Sequence, residues 1–348
     1  MPEPSDPPPS VVAIADADPR LLEEAANAAA EAVPLGIGAA VGLARALGKQ
    51  VPTPGRGRTA DYLAVLATLG AVDLTIARVV EPHLDALAIL EQAGAPAGHG
   101  AYGVYAAERL GLERVQAVPG DDGTVLTGRK PWCSLAGTLD RALITATENG
   151  QRRLFDIDLR DPRASPIAGT WVSRGLAAVD SGDVELDRVP ASPVGDAGWY
   201  LARPGFAWGG IGVAACWFGG AVGLARALLR AADQRTPDQL ALAAIGEADR
   251  LIWAARAALA DAAARIDAGQ AVGVDGALLA DRVRGVVADA AQQILLIVGD
   301  ALGPAPLTFD EEHARRVADL TVYLRQHHAA RDDVRAGSAL LATGEGWA

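Results

Sequence analysis

Trp132 and Ser134 stand two positions apart in Lys130-Pro131-Trp132-Cys133-Ser134, shortly after the strand-like run Thr124-Val125-Leu126. On an extended segment side chains alternate with a period of two, so both would point to one face. An indole there can cover a flat ring while the hydroxyl donates a hydrogen bond to the ring's edge. A core tryptophan beside an unrelated serine reads the same way, so the flanking sequence has to decide. The second candidate is His327-His328. Val317, Leu320 and Leu324 form an apolar stripe on the helix predicted there, and the two histidines fall to either side of it. A histidine near its ordinary pKa of about 6.5 is a competent general base. The alternative is a half-buried packing histidine bonded to Asp332 or Glu312. No metal site is expected: Cys133 and Cys216 lie far apart without a CxxC spacing, and His83 and His99 are isolated.

Composition narrows the setting of these residues. With 31 basic and 43 acidic residues the net charge is −12. No basic face is available to neutralise phosphates, so nucleic acid is not an expected partner. The proline-rich start lacks the basic and apolar parts of a signal peptide, and a disordered lead-in over residues 1–18 and a cytoplasmic location are expected. From Trp208 to Ala225 the chain is uncharged for 18 residues, six of them glycine. That length approaches a membrane span, but the amphipathic continuation through Arg226 and Arg230 favours a buried bundle helix, and no membrane association is expected.

The elements that must position the candidates follow from periodicity. Residues 19–100 read as a helical domain: Leu21 to Ala32, a Gly/Pro break over Gly48 to Arg58, then Asp61 to Glu91, which Pro82 should kink or divide. Residues 101–197 read as a β-barrel or sandwich of short runs, with Asp122-Gly123 and Asn149-Gly150 at hairpin spacings. Residues 198–348 read as a four-helix bundle. Ile245, Ile252, Leu259 and Ile266 recur every seven residues with alanines between them, a seam for close antiparallel neighbours. A helix over Gly276 to Leu302 carries Val283, Val286, Ala290, Ile294 and Ile297 on one face, and a last helix spans Glu311 to Leu341.

Helices, a β domain and a four-helix bundle, with Gly128-Arg129-Lys130-Pro131-Trp132-Cys133-Ser134 at the centre, resemble the acyl-CoA dehydrogenase family. The resemblance implies an α+β multidomain fold, FAD as cofactor, and an acyl thioester such as an acyl-CoA, or a similar small molecule, as substrate. It places Trp132, Cys133 and Ser134 on the flavin-contacting strand. Tyr102, Val104 and Tyr105 fall on a second such strand, where Tyr105 replaces the family's threonine. The family's catalytic glutamate has no counterpart: His327 falls at one of its two positions and Val213 at the other. The adenine-end contacts also depart, with Leu296 in place of a glutamine and only Arg235 near the usual arginine.

The reading that results is an FAD-dependent oxidoreductase whose base is changed or missing, with His327 or His328 as candidate. A flavin-dependent monooxygenase on the same fold and a non-catalytic subunit of an oligomer are the alternatives. A homodimer or homotetramer is expected from the bundle seam.

Overall fold

The computed structural model describes residues 11–121 and 123–343. Four helices come first: α1 (Pro19–Ala32), α2 (Ile37–Leu47), α3 (Thr59–Val72) and α4 (Leu74–Ala93). α1 starts where Asp18 accepts a hydrogen bond from Arg20 N (3.0 Å) with Pro19 at the first position, a combination that satisfies one free N–H and avoids spending another. Order begins earlier than expected: Val12 N donates to Thr68 Oγ1 at 3.0 Å and Ile14 is fully buried, so residues 11–18 are no loose lead-in. Residues 1–10 lie outside the described part. α2 was not anticipated between the first helix and the Gly/Pro break.

The long helix predicted over 61–91 is divided, but not at Pro82. The division falls at Asp73, which leaves helical geometry and accepts from Ile76 N (3.1 Å), capping α4; Pro82 sits inside α4. A capping carboxylate thus starts a new helix where apolar periodicity alone runs straight through.

The central sheet comprises β1 (Tyr102–Tyr105), β2 (Gln116–Gly120), β3 (Gly123–Lys130), β4 (Arg141–Glu148), β5 (Gln151–Asp158), β6 (Ala164–Pro166) and β7 (Val184–Val194). β2, β3, β7, β5 and β4 are hydrogen-bonded in a closed circuit, β6 extends β7, and β1 runs parallel along the β4 edge at Arg141–Ile144. Asn149 and Gly150 both have positive φ and join β4 to β5, as the hairpin spacing predicts. Asp122 lies outside the described residues. β4 is buried on both faces: Ala142, Ile144 and Ala146 face the main core, while Leu143 joins Tyr102, Leu154, Ile89 and Leu90 in a second cluster against α4.

After the short α5 (Trp199–Ala202) come the bundle helices α6 (Pro204–Gln234), α7 (Gln239–Asp267) and α8 (Gly273–Leu302), then α9 (Pro304–Phe309), α10 (Glu311–Tyr323) and α11 (Ala330–Thr343). α6 and α8 are each long and apolar enough to cross a membrane, and 89% of the apolar stretch of α6 is buried within the fold. Glycine makes that burial close. A Cβ on Gly219 would stand 1.9 Å from the Ala67 carbonyl oxygen, and one on Gly70 would stand 2.5 Å from that of Cys216, so α3 and α6 meet backbone to backbone. Along α7 the predicted seam is buried at Leu259 and Ile266 and only half-buried at Ile245 and Ile252.

The last helix is not continuous. Helical geometry tightens to a 3-10 turn over Leu324–Gln326, breaks at His327 and resumes at Ala330, so the two histidines do not flank one helical stripe.

Candidate functional site

Two segments meet where the sequence places its ring-covering residues. β1 contributes Tyr102, fully buried, whose N–H donates to His83 Nδ1 (3.2 Å) and whose hydroxyl donates to Asp156 (3.1 Å). Val104 is half-buried and Tyr105 buried, with the Tyr105 hydroxyl donating to the Ser134 carbonyl at 2.8 Å. The exit of β1 is tied to the end of β3 by Lys130, fully buried, which donates to Glu108 (2.9 Å), the Thr145 carbonyl (3.0 Å) and Thr145 Oγ1 (2.9 Å). All three of its N–H groups are used, which is what an enclosed ammonium requires.

The second segment departs from expectation. β3 ends at Lys130, and residues 131–138 form a turn in which Trp132 and Leu135 have positive φ. Alternation therefore fails: Trp132 is 49% exposed, whereas Ser134 is buried. Cys133 points inward, its thiol against the Lys130 carbonyl (3.3 Å) and raised well above its ordinary pKa by burial. The turn is rigid, because Cys133 N and Leu135 N donate to the carbonyls of Gly182 (2.8 Å) and Asp180 (2.6 Å).

Ser134 faces an unanticipated neighbour. Arg78 of α4 donates from Nη2 to Ser134 Oγ at 3.0 Å, and Ser181 Oγ lies 2.8 Å from the same atom. Ser181 already gives its proton to the Val179 carbonyl (2.9 Å), so the Ser134 hydroxyl donates to Ser181. Arg78 Nη1 lies 3.7 Å from Glu81 and has no hydrogen-bond partner, and the guanidinium stands 5.9 Å from the Tyr323 ring centroid. Glu81 is buried, and burial raises its carboxyl to about 7, with Arg78 opposing and Asp85 reinforcing the shift. A carboxyl poised near neutrality can exchange a proton in the working pH range, and a guanidinium beside a hydroxyl can stabilise negative charge that develops nearby.

The space enclosed by Arg78, Pro82, Val104, Tyr105, Ser134 and Leu139 is about 10 Å³. That holds one water, against several hundred Å³ for a cofactor site. An isoalloxazine does not fit this cleft with Arg78 where it stands.

His327 and His328 are not brought to the cleft. The His327 side chain is buried, its ring edge-on to Trp217 at 6.2 Å and its Nδ1 3.4 Å from Asp332; burial holds its pKa below the ordinary value. His328 is largely exposed, 3.7 Å from the same carboxylate. The Arg315-Arg316…Asp319 segment binds the scaffold together: Arg315 pairs with Asp73 (2.9 Å), Arg316 donates to the carbonyls of Ala71 (2.8 Å) and Val72 (2.9 Å), and Asp319 accepts from Leu176 N (2.5 Å). Val213 is half-buried, while Arg235 and Leu296 are exposed. Sequence reasoning passed over Arg78 and Glu81. The available signal was a pair of opposite charges three residues apart inside an apolar helical run.

Comparison with solved structures bears on this arrangement. TdsC from Paenibacillus sp. A11-2, in complex with FMN and indole, superposes with a TM-score of 0.78 over 94% of this chain and 98% of its own, at 17% identity. The chain has the acyl-CoA dehydrogenase-like fold. KijD3, in complex with FMN and a dTDP-amino-keto-sugar, gives a TM-score of 0.74 at 21% identity, covering 94% of this chain and 92% of its own. Butyryl-CoA dehydrogenase from Megasphaera elsdenii gives 0.71 at 19%, covering 81% and 82%. No protein-family model matches the chain, and no curated protein does.

Proposed function

We propose that the chain is a flavin-dependent oxidoreductase acting on a small molecule, with the flavin ring against Trp132 and the β1 backbone once Arg78 leaves the cleft. The observation that carries this reading is Trp132. A large indole is held half out of the protein by a rigid turn, two residues before a buried hydroxyl that accepts from Arg78, and such a group serves as a ligand wall more readily than as core. The fold is shared with proteins whose structures contain FMN. FMN is favoured over the FAD expected from sequence, because the adenine-end positions hold only exposed Leu296 and Arg235.

Neither usual position of the catalytic glutamate holds a carboxylate, so α,β-dehydrogenation of an acyl thioester is not the favoured reaction; oxygenation, which needs no such base, is preferred. The closed cleft favours one second reading, a non-catalytic subunit that completes an oligomer. Exposed apolar side chains on α7 to α9, among them Leu242, Trp253, Leu296 and Phe309, supply a surface for a homodimer or homotetramer under either reading.

Titration with FMN and with FAD, followed by flavin absorbance, tests the proposal. Binding should weaken at least about tenfold in Trp132→Ala, which removes a stacking wall, and Ser134→Ala should shift the reduction behaviour of the bound flavin. Unchanged affinity and spectrum in both variants would remove the site assignment. Absence of any flavin binding would favour the subunit reading.

A further inference from the structure

About 15 Å along α4 from the Arg78 cleft, counted as ten residues from Pro82 to Gln92, lies a separate cavity of about 290 Å³. It opens between the C-terminal half of α4, the start of α6 and the loop at Thr53–Arg56. Two indoles line it, Trp199 and Trp208, each set directly on a glycine backbone. A Cβ on Gly55 would stand 2.8 Å from the Trp208 ring, and one on Gly195 would stand 2.4 Å from the Trp199 ring. Trp208 is further fixed by donating from Nε1 to the Ala271 carbonyl at 2.8 Å. Both walls are therefore positioned by the fold's own packing.

The polar end is an enclosed guanidinium. Arg203 is 5% exposed; its Nη1 donates to Gln92 Oε1 (2.8 Å), its Nη2 stands 3.7 Å from Asp85, and its Nε has no hydrogen-bond partner. Gly205 makes room for this pair, since a Cβ there would fall 2.2 Å from both Arg203 Nη1 and Gln92 Oε1. Two cations line the cavity, Arg56 and Arg203, with one carboxylate, Glu91, on the wall and a second, Asp85, 3.7 Å from Arg203. Glu91 is already engaged by Thr53 Oγ1 (2.6 Å) and Arg56 Nε (2.8 Å), which latches the loop onto α4. A buried guanidinium with incomplete hydrogen bonding is stabilised by a further anionic partner.

The larger cavity, about 440 Å³ beside Asp73 and Asp319, lacks such a demand: Asp73 is paired with Arg315, and Asp319 accepts from Leu176 N.

We propose that the Trp199–Trp208–Arg203 cavity is a second small-molecule site that takes a planar aromatic carboxylate, the ring against the indoles and the carboxylate toward Arg203. The site goes beyond the flavin reading and does not depend on it. Ala88, one helical turn before Gln92 and also on the cavity wall, offers a way to fill the space without touching Arg203.

Isothermal titration calorimetry of the full chain with 2-naphthoate and its neutral counterpart 2-naphthamide tests the proposal. The acid should bind saturably and at least about tenfold more tightly than the amide, the step expected for a charge-assisted hydrogen bond. Arg203→Gln and Ala88→Leu should each weaken the acid at least about tenfold while the circular dichroism of the wild type is kept. Equal binding of acid and amide, wild-type affinity in Ala88→Leu, or no saturable heat with the acid would overturn it. Should Arg203→Gln fail to fold, the acid–amide pair and Ala88→Leu still decide the matter.

Discussion

Glu81 ties the chemistry of the cleft to the stability of the fold. Its carboxyl is raised from 4.5 to about 7, first by burial and then by Asp85, against the pull of Arg78 and Arg284. A raised carboxyl favours the folded state while protonated. Its contribution is complete below the unfolded value of 4.5 and is lost as pH climbs through about 7. Denaturant unfolding of wild type and Glu81→Gln from pH 5 to 8 should therefore show wild type losing up to about 3 kcal/mol relative to the variant. Parallel pH profiles would mean that Glu81 ionises normally. At this scale Trp132 and Ser134 were singled out because an indole and a hydroxyl two positions apart beside a strand are a local signal, and their role at a flavin stays a proposal. Their different exposures were not, since positive φ at Trp132 breaks the alternation the reading relied on. Arg78 was only half legible: its i,i+3 spacing from Glu81 is a local signal within α4, whereas Ser134 reaches it only through the folding of α4 onto the sheet.

Helices and strands were easier to read than the residues between them. The closed sheet, the Asn149-Gly150 hairpin, α7 and α8 follow from periods of two and 3.6 together with turn chemistry. The break at Asp73 and the turn at Leu324–Gln326 do not, because a cap or a tightened turn changes the path without interrupting apolar periodicity. His327 and His328 were paired on one helix for that reason, and the structure separates them into a packing residue against Trp217 and an exposed one. The uncharged 18-residue stretch read as a buried helix is one, and the glycines inside it explain how. Gly219→Ala should destabilise the chain by about 3 kcal/mol, because its Cβ meets the Ala67 carbonyl, a backbone atom that cannot turn aside. Chemical denaturation checks this, and a change below about 0.5 kcal/mol would show that α3 and α6 can separate freely.

For the whole molecule, the division of labour follows from which surfaces are finished. The interior between α3, α4, α6 and the sheet is densely built, whereas α7 to α9 leave large apolar side chains uncovered. Light scattering should find a homodimer or homotetramer, and Trp253→Glu should shift it toward monomer by placing a charge in that surface. A wild-type monomer at micromolar concentration would leave the face unexplained. The central claim is the proposed flavin wall of Trp132 and the β1 backbone, beside a cleft closed by Arg78, which is hydrogen-bonded to Ser134 and stands 3.7 Å from Glu81. The most direct measurement is the affinity of FMN for wild type, Arg78→Ala and the double variant Arg78→Ala/Trp132→Ala. Arg78→Ala should bind FMN at least about tenfold more tightly than wild type, and the second substitution should abolish that gain. Affinity that Arg78→Ala leaves unchanged, or a gain that survives loss of Trp132, would contradict it.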